Sequence, residues 1–540
     1  MNIPLTPIRF LRYAEEQYAD NTAIVCGDKR FTYAQFATRV SRLAGALKTL
    51  GVEPGDRVAF LSANCHRLLE AYYGVLEAGA VLLPLNIRLA ARELAYILNN
   101  SGATVLFLDP AFVPLIDSLH KNVPGIRSFF LLHGTAHASW LSSETYEDLL
   151  AEAQPYRADI MQIDENELAE LFYTSGTCAS PKGVMLSHRN VYLHALDAAL
   201  AFNITAKDSC LHTIPLFHAN GWGSAHVLTL MGGKHVMIGA FDPGEVFRLI
   251  ARERITSCFL VPAMAQSLLL SPDRHICELS SLKWIAIGAS ASSPTLMRHV
   301  KETLGCECFS GYGMTESAPV LAISRERPGV QWKGAEHFAR QAMTGYAIPG
   351  VEIRIVDADD VDVARDGKTT GEIIARSDGV MEGYWRLPET TEQTLRDGWL
   401  RTGDMATIDS YGYILIVDRK KDIIISGGEN ISSLELEKTL ILHSSVYDAA
   451  VIPVPDERWG EVPKAFVVLN PEEHVSEAAL IEFCRAHLSH FKVPRSVEFV
   501  DKLPKNAMGK TLKAQLRKKY WSDTQELTRE DAAALAAHGD

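Results

Sequence analysis

The chain has 540 residues, too many for one ordinary hydrophobic core, so at least two domains are expected. Its composition, 47% hydrophobic and 22% charged, is that of a globular enzyme rather than a fibrous or low-complexity protein. A formal net charge of -13 without any strongly basic block argues against a nucleic-acid-binding surface, and no apolar run is long enough to span a bilayer.

The N-terminal stretch "MNIPLTPIRFLRYAEEQYAD" has no basic region followed by an apolar core, so no secretory signal is expected. The C-terminal "AAALAAHGD" carries no peroxisomal or retention tripeptide. The 9 cysteines are scattered and form no CxxC pair. Cys306 and Cys308, one residue apart in a strand-like run, read as small buried thiols. A reducing cytoplasm is the expected compartment.

In chain order, strand-like runs alternate with helix-like ones. "RVAFLSA" (57–63) precedes the apolar-periodic "HRLLEAYYGVLEAG", then come "AVLLPLN", "RELAYILNNSG" and "ATVLFLD". This alternation predicts α/β layers built on parallel sheets. The rhythm returns at "SCFLVPA" (257–263) and "KWIAIGAS" (283–290). From about residue 340 the period becomes two: "VEIRIVDAD", "GEIIARS" and "GYILIVDRKKDIIIS" predict an antiparallel sheet or small barrel. Beyond a charged turn at Asp418–Asp422, the remaining segments predict a compact α+β domain over 421–540, leaving 1–420 as the larger N-terminal domain. No internal repeat or low-complexity linker is present.

Between these elements lies "YTSGTCASPKG" (173–183), which is neither strand nor amphipathic helix. It follows a short strand-like run and precedes "GVMLSHRN", after which a helix is expected with Asn190 as its N-cap. Glycine allows close backbone approach, and successive N–H groups can form an anion-binding nest. Thr174, Ser175 and Thr177 add hydroxyl donors around Gly176, and Lys182 adds one positive charge. The set suits a polyphosphate, although it lacks the Walker pattern. Alone, such a loop is most often a surface turn. It is accompanied by "GYGMTE" (311–316), "RTGD" (401–404), "DRKKDIIISGGENIS" (418–432) and "PKNAMGK" (504–510).

Together, in this order and spacing, these motifs resemble those of the adenylate-forming superfamily: acyl-CoA synthetases, peptide-synthetase adenylation domains and luciferases. The resemblance runs from "FTYAQFATRVSRLAGAL" (31–47) to "GKTLK" (509–513), essentially the whole chain. It implies two half-reactions. A carboxylate attacks the α-phosphate of ATP, releasing pyrophosphate, and a thiol then displaces AMP. It also implies ATP, Mg²⁺ and CoA as the small molecules involved. Two anions must meet in the first step, so cations and aimed dipoles have to offset their repulsion.

By the same resemblance, Thr174, Ser175, Gly176, Thr177 and Lys182 hold the β- and γ-phosphates. In the strand Gly311–Gly313 and just after it, Tyr312 stacks on adenine, Thr315 contacts the α-phosphate and Glu316 binds Mg²⁺, a hard carboxylate for a hard cation. Asp404 accepts the ribose hydroxyls with Arg419 assisting. Lys510 bridges the attacking carboxylate and the α-phosphate, one ammonium for two anions. Lys421 matches a hinge about which the tail domain swings, and Gly427 a glycine lining the pantetheine tunnel. Family members are often homodimers, which implies a homodimer here.

The segment "PLFHANGWGSAH" (215–226) places His218 where amino-acid-activating relatives have an Asp that grips the substrate ammonium. A buried amino group would lack its counter-charge, so an α-amino acid is disfavoured and an acyl-CoA ligase expected. Trp222, Gly288, Ala289 and Ser290 are the expected wall of the acid pocket, with plain core packing nearly as good a role for Trp222. A medium-chain or small branched or aromatic acid fits the small residues there. An acyl-AMP ligase loading a carrier protein is the alternative. A nucleotide-binding relative without catalysis is disfavoured by Lys510, Glu316 and Asp404, and a light-emitting one is remote.

The chain departs from the family's "TSGTTGxPKG" at Cys178, a poor hydrogen-bond donor, and at Ala179, which resists positive φ. Either Ala179 adopts an ordinary conformation or phosphate binding is weakened. A raised KM for ATP is the expected consequence. Cys178→Thr should lower it in steady-state assays, and unchanged ATP kinetics would show that this position is indifferent.

Overall fold

The computed structural model describes residues 2–174, 181–327, 329–330, 332–426, 429–456, 458–505 and 510–521. The chain divides into two compact units. Unit 1 holds 1–342, 347–352 and 376–398; unit 2 holds 343–346, 353–375 and 399–540.

Unit 1 contains two large sheets. One orders its strands Val320–Ile323, Glu307–Gly313, Trp284–Ile287, Ser257–Leu260, Ser209–His212, Lys234–Met237, Thr22–Cys26 and Lys29–Thr32. Its middle is parallel and both of these ends are antiparallel. The second runs Gly383–Tyr384, Lys182–Ser187, Leu168–Thr174, Val81–Pro84, Arg57–Leu61, Ala103–Leu108 and Ser128–Leu131. The runs read as strands and helices between residues 57 and 109 fold as expected, with helices His66–Glu77 and Ala91–Ser101 as the crossovers. Parallel neighbours require such crossovers, and both faces are then covered. Val25, Leu211, Val236, Cys258 and Ile285 belong to one core, and Ala59, Leu83, Leu106 and Leu171 to another.

Unit 2 holds an antiparallel sheet in which Trp399–Ile408 pairs with Gly371–Arg376 and Ile414–Arg419. A second sheet pairs Val446–Asp456 with Gly460–Leu469, flanked by Ile424–Ser426 and Ser496–Phe499. Helices Ser433–Ile441 and Glu477–His487 bury Leu436, Leu440 and Leu480 against Val451 and Val467 of that sheet. The mixed α/β architecture is the one expected. Among the described residues no helix is long and apolar enough to cross a membrane, and the described cysteines are free thiols.

The helix after the glycine-rich segment begins earlier than the cap assignment to Asn190 predicts. It spans His188–Phe202 with Ser187 as N-cap, and Asn190 is its third residue. Ser187 Oγ accepts the Asn190 N–H at 3.2 Å, and Asn190 Oδ1 accepts the Ser187 N–H at 2.8 Å. Asn190 thus closes a reciprocal capping box instead of opening the helix. Ser187→Ala should cost about 1 kcal/mol through the lost cap, read as a lowered midpoint of urea unfolding.

Candidate active site

In unit 1, strands Leu168–Thr174 and Lys182–Ser187 are antiparallel, with Thr174 opposite Lys182 at the end of the ladder. Both residues are half-buried. Ser175, Gly176 and Thr177, with the variant positions Cys178 and Ala179, lie outside the described residues. The Lys182 ammonium stands 5.1 Å from the centre of the Tyr384 ring, a cation–π contact. Tyr384 is on the short strand that extends the same sheet, opposite Val184. Its hydroxyl donates to Glu316 Oε1 at 2.8 Å. Burial, then the Glu316 carboxylate, pushes the Tyr384 phenol well above its ordinary value, which keeps it a donor. Tyr384 therefore joins Lys182 to Glu316, a role no sequence motif flagged.

Gly311, Tyr312 and Gly313 end the strand Glu307–Gly313, and Thr315 and Glu316 form the 3₁₀ turn that follows. Glu316 is buried; Tyr312 and Thr315 are half-buried. A Cβ added at Gly313 would meet the Pro319 carbonyl oxygen at 1.8 Å, so only glycine fits. The returning strand is pinned by His194, whose Nε2 accepts the Val320 N–H at 2.9 Å. Burial lowers this imidazole to about 3, leaving it neutral and able to accept. Among the described residues, no three His, Cys, Asp or Glu side chains gather as a metal site. Glu316 fits Mg²⁺ differently, as one buried hard carboxylate for an ion that phosphates also ligate.

The acid-pocket candidates also lie in unit 1. His218 precedes a left-handed turn, Ala219–Trp222. Its Nε2 is buried without a hydrogen-bond partner among the described residues. Burial, helped by the charge of Arg88, lowers it to about 4, so it is a neutral imidazole. Gly288 is buried, whereas Ala289, at φ +67°, and Ser290 are exposed. A Cβ at Gly288 would lie 3.1 Å from the Trp222 ring and 2.9 Å from the Gly311 carbonyl oxygen. Trp222 is thus packed directly on Gly288. Beside it Phe202, Ile204, Trp222, Leu228, Phe259 and Trp284 pack closely around a residual space of about 10 Å³, room for no more than a water. A chain of buried side chains, Ser224–His212–His235–Thr229, backs this region with contacts of 3.2, 2.9 and 3.0 Å. Burial holds His212 at about 3 and lowers His235 well below its ordinary value.

In unit 2, Asp404 and Arg419 are direct partners across adjacent strands, and Arg419 Nε lies 3.1 Å from the buried Asp404 Oδ1. Thr402 Oγ1 accepts the Asp404 N–H at 3.1 Å. Lys421 sits in the 3₁₀ turn Lys420–Asp422, whose Asp422 pairs with Arg517 at 2.6 Å. Asp422 is held at about 2: burial opposes its ionisation, but Lys513, Arg517 and Lys421 outweigh it. Asp418 Oδ2 accepts the Ser433 N–H at 2.6 Å and the Ser433 hydroxyl at 2.7 Å, tying the strand end to the helix Ser433–Ile441. The Lys510 side chain reaches solvent, yet its ammonium is lowered to about 8 by desolvation and then by Arg419, with Asp404 opposing. Gly427 lies outside the described residues.

Residues 11–385 match the AMP-binding enzyme family and residues 435–510 the AMP-binding enzyme C-terminal domain. The chain belongs to the AMP-binding enzyme family. It is 37% identical to a peroxisomal butyrate–CoA ligase of Arabidopsis thaliana, over 96% of this chain and 93% of that protein. It is 35% identical to a medium-chain-fatty-acid–CoA ligase of Ectopseudomonas oleovorans, over 91% of each. Its fold superposes on an anthranilate CoA ligase in complex with anthranoyl-AMP with TM-score 0.85 and 28% identity, covering 96% and 98% of the two chains. The activity is that of an AMP-forming acyl-CoA synthetase, which activates a carboxylic acid with ATP and passes the acyl group to CoA.

Gly288→Ala should push Trp222 or the Gly311 strand aside. Initial-rate kinetics should show KM for the acid raised roughly tenfold with KM for ATP changed less, as befits lost ground-state binding.

Proposed function

We propose that the acid is a medium-chain or small branched or aromatic carboxylate, held in unit 1 against Trp222 and Gly288, with CoA as the acceptor thiol. The observation that carries this reading is the buried, neutral His218, in place of an acidic side chain, at the turn that packs Trp222 on Gly288. An apolar acyl group gains by desolvation against the Trp222 ring, whereas a substrate ammonium would find no counter-charge in His218.

In this reading Thr174, Ser175, Gly176, Thr177 and Lys182 cradle the β- and γ-phosphates. Tyr312 stacks on adenine, and Thr315 donates to the α-phosphate. Glu316, oriented by the Tyr384 hydroxyl, takes Mg²⁺ brought in with the nucleotide; the ion would supply charge neutralisation at the phosphates. Asp404 and Arg419 hold the ribose. Lys510 draws the carboxylate and α-phosphate together, which is worth several kcal/mol once water is excluded. Lys421 serves as hinge, and Gly427 leaves room for pantetheine. The working domains are 1–420 and 421–540. A cytoplasmic homodimer completes the proposal.

Pyrophosphate release with MgATP and a panel of acids, with and without CoA, tests it when products are identified by mass spectrometry. Acyl-CoA from a medium-chain, branched or aromatic acid is expected. Acyl-AMP that persists despite CoA would favour loading of a carrier protein instead.

Lys510 gives a second test with a definite sign. Acid activation needs its ammonium, so that half-reaction should fall as pH rises through about 8, the value to which desolvation and Arg419 lower it. Thioesterification of supplied acyl-AMP should lack this alkaline limb. Lys510→Ala should lose at least about 100-fold in acid activation while keeping most of the second step. Equal loss in both half-reactions would remove Lys510 from the proposed role.

A further inference from the structure

Five consecutive residues, Ala219, Asn220, Gly221, Trp222 and Gly223, have φ of +40°, +47°, +65°, +57° and +83°. Three of them carry a Cβ, which clashes with the neighbouring carbonyl in this region, so a run of this kind needs support from outside itself. The support is a buried polar cluster. Asn220 is 1% exposed, and its Oδ1 accepts the Gly223 N–H at 2.8 Å, closing the turn. Its Nδ2 donates to Glu170 Oε2 at 3.0 Å. The other oxygen, Glu170 Oε1, meets His226 Nε2 at 2.6 Å, near the start of the helix Ser224–Met231. Glu170 is 0% and His226 1% exposed. Tyr73 closes the far side, its hydroxyl 3.4 Å from His226 Nδ1. One carboxylate therefore grips both the turn and the helix that follows it.

The location of Glu170 gives this grip its meaning. It interrupts the apolar strand Leu168–Thr174, four residues before Thr174 at the mouth of the glycine-rich loop. A buried carboxylate is costly unless fully hydrogen-bonded, and apolar packing would serve a plain core as well. Here the buried charge and the strained backbone coincide at the turn that presents Trp222 and follows His218. We infer that Glu170 is a positioning residue for acid selection: through Asn220 and His226 it locks the left-handed turn, and with it Trp222, to the strand that feeds the phosphate loop. The inference rests on the proposed placement of the acid beside Trp222.

The test compares Glu170→Gln, Asn220→Ala and Asn220→Gly in the full chain labelled with 5-fluorotryptophan, the Trp222 ¹⁹F resonance being assigned with Trp222→Phe. Glu170→Gln and Asn220→Ala should shift or split that resonance, raise KM for the preferred acid about tenfold and alter the ranking of acids, with KM for ATP within about twofold. Asn220→Gly should recover part of the loss, because glycine adopts the left-handed conformation freely. Variants that only lower the unfolding temperature, with resonance, acid KM and ranking unchanged, would overturn the inference and leave Glu170 a structural residue. Should Glu170→Gln not fold, the Asn220 pair decides by the same readouts. Wild-type protein that turns over no acid would sink the acid-pocket reading alone, since the resonance reports the grip without turnover.

Discussion

The antiparallel pairing of Leu168–Thr174 with Lys182–Ser187 is the constraint from which the rest of unit 1 follows. On the side of Leu168–Thr174 the strands of that sheet, Val81–Pro84, Arg57–Leu61 and Ala103–Leu108, are parallel and connected through crossovers, so their loops gather at strand ends. Here the two strands are antiparallel, which sets Thr174 opposite Lys182. The first strand carries Glu170, and through it the Asn220 turn. The second carries Lys182, and beside it Tyr384 and Glu316. Its last residue, Ser187, caps the next helix and donates to Glu382 at 2.9 Å. A shift of one residue in this ladder would turn every one of these side chains to the opposite face.

Charge is handled differently from place to place. Around Trp222 burial keeps the imidazoles of His212 and His218 neutral. Around Asp404, Arg419, Lys421 and Lys510 the groups are charged and close enough to perturb one another. Unit 1 carries charge as well, where Lys182 and Glu316 meet at Tyr384, so fixed charge and low polarity both occur within it.

Much of this was legible in the sequence. Alternating apolar runs from Arg57 to Asp109 report helix and strand because period and length agree there, and the motif residues are recognisable because their chemistry is local to a few positions. What escaped was non-local. Tyr384 reads as an ordinary aromatic until the strand at Gly383 is seen to pair with Val184 and Met185. Glu170 reads as a lone charge in a strand, because its partners are 50 and 56 residues further on. Asn190 has the right chemistry for a cap, but Ser187, three residues earlier, competes for the position, and only backbone geometry decides. The left-handed run at Ala219 carries glycine at two positions only, so composition does not announce it.

The buried imidazoles carry a consequence for where such a chain can work. His188, His194, His212 and His218 are held at about 4, 3, 3 and 4, each chiefly by desolvation. In the unfolded chain they would bind protons from about pH 6.5 downward. Between that value and the folded ones the unfolded state takes up protons that the folded state refuses. The contribution of these imidazoles to stability is fully present above about 6.5 and is lost progressively as acidity grows. Unit 1 therefore keeps the contribution of these imidazoles near neutrality and loses it progressively as the medium sours.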